Sequence, residues 1–402
     1  MHTRVIGIVM LVGLFLMINV TYAQKLVVHN DNDDGNISFD LFQTTNTKGV
    51  VLTTDYLGSS ALSFINTHPL EVLATGIGPT QGDDIVRYFN GKIYVLNRFG
   101  YDRIDVFSAE EPYTYLYNFS TGTGTNPQDI AFISESKAYV TCYDSCDLLI
   151  VNPSTGDHLG TIDLSSFADD DGIPEMHRML ALQFRGKHRV YVTVQRLNRS
   201  AFYAPTDTSY LVEINADTDT VLHGIELEKT NPISTPFLDG YYVVVVCVGS
   251  WFDPADGGVE RIHLFSNSAE GCILTEQEAG GNIINYDIYP RYRGRRGCIR
   301  MWIEERFPVF AKNRTEVFLV SDPLWNTHLV HRYTTDKKIR EIYGTSGYNL
   351  PDCAVSNNGF VFLCDRSADA SGIRVFDART GDQITQQPLQ VGLLPPGMIT
   401  LY

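Results

Sequence analysis

Short apolar runs separated by turn residues recur about every 45 residues along most of this chain, and a repeat of that length narrows the possible folds sharply. One unit reads Asp129-Ile130-Ala131-Phe132, Lys137-Ala138-Tyr139-Val140-Thr141, Asp147-Leu148-Leu149-Ile150-Val151-Asn152 and the turn Thr155-Gly156-Asp157. A second runs from Asp352-Cys353-Ala354-Val355 through Gly359-Phe360-Val361-Phe362-Leu363 and Gly372-Ile373-Arg374-Val375-Phe376-Asp377 to Thr380-Gly381-Asp382. Each unit is a polar start, an inner strand, a second strand, a third strand closed by a tight turn, and a fourth strand. Four antiparallel strands in about 40–50 residues is the pattern of a propeller blade. With the aromatic of the second strand as marker, Tyr94, Tyr139, Tyr191, Tyr242, Phe318 and Phe362 follow one another at 45, 52, 51, 76 and 44 residues. The long interval holds an insertion at about residues 291–313.

Six blades are visible in this way from Asp83 onward. The seventh is divided between the chain ends. Val50-Val51-Leu52-Thr53, Ala61 to Asn66 and Glu71-Val72-Leu73 supply second, third and fourth strands with no first, while Leu394 to Tyr402 supplies a first strand with nothing after it. Pairing the two ends completes a blade and leaves no open sheet edge. The expected fold is therefore all-β: a seven-bladed propeller of four-stranded antiparallel blades over residues 50–402, closed by its N- and C-terminal segments. The 22 Tyr, 21 Phe and 33 Gly suit many short strands joined by tight turns.

The segment Lys137 to Cys142, followed by Leu148-Leu149-Ile150-Val151-Asn152-Pro153-Ser154-Thr155-Gly156, resembles the YVTN-type β-propeller repeat. There a Tyr-Val-Thr-Asn strand precedes an apolar strand and an Asp/Asn-x-x-Thr-Gly turn. Cys142 stands where that family usually has Asn. The resemblance implies an exported or surface-displayed binding propeller and, more distantly, similarity to lactonase-like enzymes and quinoprotein dehydrogenase subunits.

Residues 1–23 form a separate element. Arg4 gives a positive start, Val5 to Val20 is apolar apart from Asn19, and Thr21-Tyr22-Ala23 reads as a small-x-small cleavage site. A secretory signal is expected, with an uncleaved N-terminal anchor as the alternative. No later run has the length and apolarity of a membrane helix, so a soluble, extracytoplasmic (secreted, periplasmic or cell-surface) protein with no membrane span is expected after a short extension at residues 24–49. The formal net charge of −16, from 31 basic and 47 acidic residues, disfavours nucleic acid as a partner. A monomer is expected.

Seven cysteines (142, 146, 247, 272, 298, 353 and 364) leave at least one thiol outside any intramolecular pairing. A two-residue turn at Asn358-Gly359 would set Cys353 opposite Cys364, within bonding range. Cys142 and Cys146 flank a short turn and are a second candidate pair. Asn36, Asn118, Asn198 and Asn313 head glycan-acceptor triplets in a host that has that pathway.

Candidate sites follow from where polar loops converge on a propeller's central channel. Asp84, Asp129, Glu175, His177 and Asp352 stand at or near the starts of inner strands, as does Asp287, and a ring of such groups could hold a cation or a polyol. Capping of each residue's own turn is the plainer role. Asp169, Asp171 and Glu175, in the densest acidic run, are candidate ligands for calcium, which takes six to eight oxygens. Asn30 to Gly35 approaches an EF-hand frame but has Leu41 in place of the bidentate acid. Arg293, Arg295, Arg296 and Trp302 bring basic and aromatic residues together in the insertion, a composition favoured at interfaces. His-Glu-x-x-His, Gly-x-Ser-x-Gly, Cys-x-x-Cys-His and phosphate-loop motifs are absent from the sequence. The reading that follows is a non-catalytic binding or scaffold propeller engaging a protein or carbohydrate at the ring face. The alternative is a metal-dependent hydrolase or lyase with a cation at the channel mouth.

Overall fold

A computed structural model describes residues 25–30, 37–42, 47–184, 187–289 and 314–402. The leader at 1–23, the acidic turn after Asn30, Cys298 and the insertion with Arg293, Arg295, Arg296 and Trp302 lie outside the described residues. Two units are distinguished, 1–46 and 47–402. In the first, β1 (Lys25–Asn30) and β2 (Ile37–Phe42) form an antiparallel hairpin with Lys25 opposite Phe42.

The second unit is a ring of seven antiparallel sheets. Blade 1 has the order β31 (Pro396–Leu401), β3 (Lys48–Thr54), β4 (Ser60–Thr67) and β5 (Leu70–Thr80). Val51 lies opposite Ile399, and Lys48 and Tyr402 exchange backbone hydrogen bonds, so the two chain ends close the ring as expected. Blade 2 is β6 (Asp84–Phe89), β7 (Lys92–Asn97), β8 (Arg103–Ser108) and β9 (Tyr115–Ser120); blade 3 is β10 (Pro127–Ser134), β11 (Lys137–Cys142), β12 (Asp147–Val151) and β13 (His158–Asp163). Blade 4 uses β14 (Met176–Phe184), β15 (Lys187–Val194), β18 (Tyr210–Asn215) and β19 (Thr220–Glu226), with a small hairpin of β16 (Leu197–Asn198) and β17 (Ala204–Pro205) in its middle loop. Blade 5 is β20 (Phe237–Asp239), β21 (Tyr242–Cys247), β22 (Gly258–His263) and β23 (Ser268–Thr275); blade 6 is β24 (Asn282–Tyr289), β25 (Thr315–Ser321), β26 (Thr327–Tyr333) and β27 (Ile339–Thr345). Blade 7 has three strands, β28 (Cys353–Val355), β29 (Phe360–Asp365) and β30 (Gly372–Asp377), and its outer edge is completed by bridges from Gln383 and Leu389.

The second strands read as near-continuous apolar runs because each blade packs against a neighbour on both faces. Tyr94, Tyr139, Tyr191, Phe318 and Phe362 are almost fully buried at their centres. Tyr242 departs from the series: it heads β21, its ring lies 4.6 Å from the Arg261 guanidinium, and buried Val244 takes the central place. The Thr-Gly turns close the third strand onto the fourth. Gly156 (φ 80°) and Gly381 (φ 79°) donate their N–H groups to the carbonyls of Asn152 and Asp377 in a left-handed conformation that favours glycine.

The cysteine pairings are corrected by register. Val355 faces Val361, and Ser356 donates its N–H to Phe360, so Asn357, Asn358 and Gly359 form a three-residue turn. That extra residue sets Cys353 opposite Leu363. A one-residue slip sends side chains to opposite faces, and the two thiols lie in different core clusters. Cys142 points into the core between blades, whereas the Cys146 thiol sits 3.0 Å from the Gly172 carbonyl. All six described cysteines are unpaired.

Candidate functional site

Because the strands alternate in direction within each blade, all inner strands begin on one face of the ring, the entry face. The loops joining second to third strands, and those leading into each new blade, emerge there too. The ends of β24 and β25 that flank the insertion belong to the opposite face.

Four inner strands carry a register irregularity near their entry ends: β10 between Pro127 and Asp129, β14 between Met176 and Met179, β24 between Ile283 and Asn285, and β31 between Pro396 and Met398. Bulges of this kind re-aim side chains, and here they present a polar ring to the channel. Asp129 accepts from Arg87 Nε at 2.7 Å and from the Met179 N–H at 2.9 Å, joining blades 2, 3 and 4. Arg87 also donates through Nη2 to Thr235 at 2.9 Å, reaching the loop before blade 5 on the far side of the ring. Asp352 accepts from Asn285 Nδ2 at 2.7 Å and from the Ile399 N–H at 2.9 Å, joining blades 6, 7 and 1. Burial raises the Asp352 carboxyl to about 6. Arg178 belongs to the same ring: its Nη1 donates to the Gln128 carbonyl. Burial and the neighbouring Arg87 lower this guanidinium to about 9.

Of the acids expected at the channel mouth, Asp129 and Asp352 are thus brought together with Arg87, Arg178 and Asn285. The other expected residues face elsewhere. Asp84 turns into the contact between blades 1 and 2, where Ser60 donates to it at 2.9 Å and its Oδ1 is buried without a partner. Burial raises that carboxyl to about 7. Glu175 is fully buried beneath the middle loop of blade 4, holding Arg199 Nε at 2.7 Å and the Leu197 N–H at 3.0 Å; burial raises it to about 7 as well. His177 meets the Pro232 carbonyl through Nδ1 at 3.2 Å, and burial with Arg178 nearby favours its neutral form. Asp171 lies 3.7 Å from the same Arg199, and its Oδ1 accepts the Ile173 N–H. Asp169 accepts the Asp171 N–H. Arg199 therefore lies between Asp171 and Glu175. Among the described residues no group of three or more His, Cys, Asp or Glu is placed to hold a metal. Asp287, the sixth residue of β24, lies toward the far end of its strand rather than at the mouth.

The channel arginines carry no motif in the sequence. Their one signal was a lone cation inside an inner-strand run, in Val86-Arg87-Tyr88 and His177-Arg178-Met179.

Around the channel, the entry-face loops carry exposed apolar side chains on nearly every blade. Tyr56 and Leu57 extend from blade 1, Phe99 and Tyr101 from blade 2, Phe202 and Tyr203 from blade 4, Phe252 from blade 5, and Leu324 and Trp325 from blade 6; Tyr348 and Leu393 join from the loops leading into blades 7 and 1. Among the described residues, the opposite face exposes one large hydrophobic, Phe265, and the remaining exposed ones lie along the outer edges of the blades. Tyr56, Phe99, Phe202, Tyr203 and Trp325 have φ between 50° and 62°. Bulky residues enter that left-handed region only at a cost, and such strain concentrates at functional surfaces. Arginines stack against several of these rings: Arg366 on Tyr56 at 4.3 Å, Arg98 on Phe99 at 5.2 Å and Arg199 on Tyr203 at 6.0 Å. Trp251 and Trp325 stack at 6.3 Å and line a shallow recess with Phe252 and Asn282.

No family model matches this sequence, and no curated protein matches it. Solved structures do. A candidate 6-phosphogluconolactonase from Bacteroides uniformis aligns with TM-score 0.58 at 10% identity, over 88% of this chain and 99% of that one. One from Bacteroides fragilis aligns with TM-score 0.56 at 12% identity, over 90% of this chain and all of that one. The Dos1 propeller aligns with TM-score 0.51 at 11% identity, over 86% of this chain and 85% of that one. At these identities the likeness is one of fold: a seven-bladed β-propeller.

Proposed function

We propose that this chain is an extracytoplasmic, non-catalytic docking propeller that engages a protein partner on its entry face. The one-sided distribution of exposed apolar residues carries the reading: eleven large hydrophobics stand on the entry face against one on the other among the described residues. Concentrated patches of this kind mark interaction surfaces, and aromatic rings stacked with arginine have the composition of interface hot spots. A protein partner is favoured over a carbohydrate because Leu57 (91% exposed) and Leu393 (fully exposed) offer a sugar ring no flat surface, whereas a protein pocket can bury them. The apolar leader at 1–23 supports export, and among the described residues no helix is long and apolar enough to cross a membrane. The Tyr139-Val140-Thr141 strand with its Thr-Gly turn supports kinship with the YVTN-type repeat propellers.

The test places a photo-reactive phenylalanine at position 252 or 265 of the full chain in its own cells. A discrete protein adduct is expected from 252 and none from 265. A probe at Phe99 should lose that adduct at least tenfold when Phe252→Ala and Trp325→Ala are combined, with the melting temperature changed by less than about 2 °C. Equal adducts from both faces, or none from either, would overturn the reading.

A further inference from the structure

Among the described residues two charges of the channel stand outside any ion pair, the cation Arg178 and the carboxylate Asp352. Arg98 is paired with Asp83 at 2.5 Å and Arg87 with Asp129 at 2.7 Å. Asp352 is engaged by Asn285 and the Ile399 N–H, and among the described residues no carboxylate comes within ion-pair distance of Arg178. The Arg178 side chain spends one donor, Nη1, on the Gln128 carbonyl. Among the described residues its Nε and Nη2 groups meet no acceptor, and neither is sealed from solvent, so this edge keeps contact with water. The Nε–Nη2 edge is the planar fork that takes two oxygens of a carboxylate or phosphate side by side.

Its setting supports an anion rather than water alone. The bulge between Met176 and Met179 aims the side chain into the channel, and hydrogen bonds from the Arg178 N–H to Thr193 Oγ1, and from Thr193 Oγ1 back to the Arg178 carbonyl, fix the backbone there. Arg87 pairs with Tyr94, whereas Asp129 pairs with Thr141, two residues nearer the entry face than Tyr139, the counterpart of Tyr94. The Arg87 side chain thus rises toward the entry face to reach Asp129 and Thr235, and its guanidinium shares the channel mouth with Arg178. Burial and the nearby Arg87 and Arg98 depress the guanidinium despite Asp129 and Asp352, so an added negative charge is what this position favours.

We propose that the channel mouth is a binding site for a small oxyanion, a carboxylate or phosphate, gripped by the Nε–Nη2 edge of Arg178 beside the Arg87–Asp129 pair. The site is independent of the docking surface around it: anion binding reads the channel, and cross-linking from position 252 reads the rim.

The full chain is titrated with inorganic phosphate and with malate at constant ionic strength, by calorimetry and by melting temperature, with chloride as control. At least one of phosphate and malate is expected to bind saturably and raise the melting temperature, while chloride does neither. A response to malate alone assigns a carboxylate, and a response to phosphate alone a phosphate. Arg178→Gln should weaken the binding at least tenfold, and Arg178→Lys, which keeps charge but loses the fork, should weaken it measurably. Arg340→Gln, on an exposed blade edge, should bind as the parent does. No response to either anion, or an undiminished response in Arg178→Gln, would overturn the proposal.

Discussion

Asp84 shows how much of a residue's chemistry is set by where its side chain turns. It begins an inner strand, as expected of a channel acid, yet its carboxyl lies between Ser60 and Thr80 in the seam between two blades. Burial raises it from the ordinary carboxylate range to about 7. The folded protein therefore keeps a proton that the unfolded chain has already released, and stability due to this group is present at low pH and lost as pH rises toward 7. Glu175, also raised to about 7, and Glu276, raised to about 8, act in the same direction, whereas neutral buried His177 opposes it below the ordinary histidine range. The contribution of Asp84 is isolated by difference. Relative to the parent, Asp84→Asn should gain stability as pH rises from 5 to 7, by roughly 1 kcal/mol per pH unit, in paired thermal melts. A difference that stays flat or falls with pH would show that Asp84 is ionised in the fold.

At the scale of the element, the blades are held by apolar strands threaded with a few satisfied ionic groups. Glu316 of β25 lies opposite Arg332 of β26, and both are nearly buried. Arg332 donates to Glu316 through Nε and Nη2, while the Tyr286 hydroxyl of β24 donates to the same carboxylate at 2.8 Å. One charge group thereby ties three strands, and Arg332 Nη2 reaches the Ile273 carbonyl of the preceding blade at 3.0 Å. Arg332→Met would strand a buried carboxylate, and a loss of about 3–5 kcal/mol is expected in chemical denaturation. Pairing Arg332→Met with Glu316→Gln should recover much of that loss; a single variant as stable as the parent would refute the account. The strands themselves were legible because their apolar runs and turn residues are local signals. Their bulges were not, and the Cys353 register failed at one residue: Asn-Gly reads as a two-residue turn, whereas the side chains of Ser356 and Asn358, hydrogen-bonded to each other, sit in a three-residue one.

For the whole molecule, closure is the main mechanical fact. β31 supplies the inner strand of blade 1, its Ile399 N–H is held by Asp352 of blade 7, and Thr400 donates to the Val86 carbonyl of blade 2. Deleting residues 391–402 opens the ring at three blades at once and exposes the buried Val50, Val51 and Leu52. Loss of the cooperative thermal transition, followed by circular dichroism, is expected; a truncated chain melting with the parent would show that the ring does not depend on its clasp. The sequence by itself determined the strand periodicity, the seven blades and the meeting of the chain ends, because alternation of apolar runs with turn residues is written within some tens of residues. Only the tertiary structure decided what the entry face and channel are. Arg87 meets Asp129 across 42 positions and Asp352 meets Ile399 across 47, and bulges set the aim of the inner-strand side chains. Contacts between neighbouring blades depend on how two separately encoded sheets come to rest against each other.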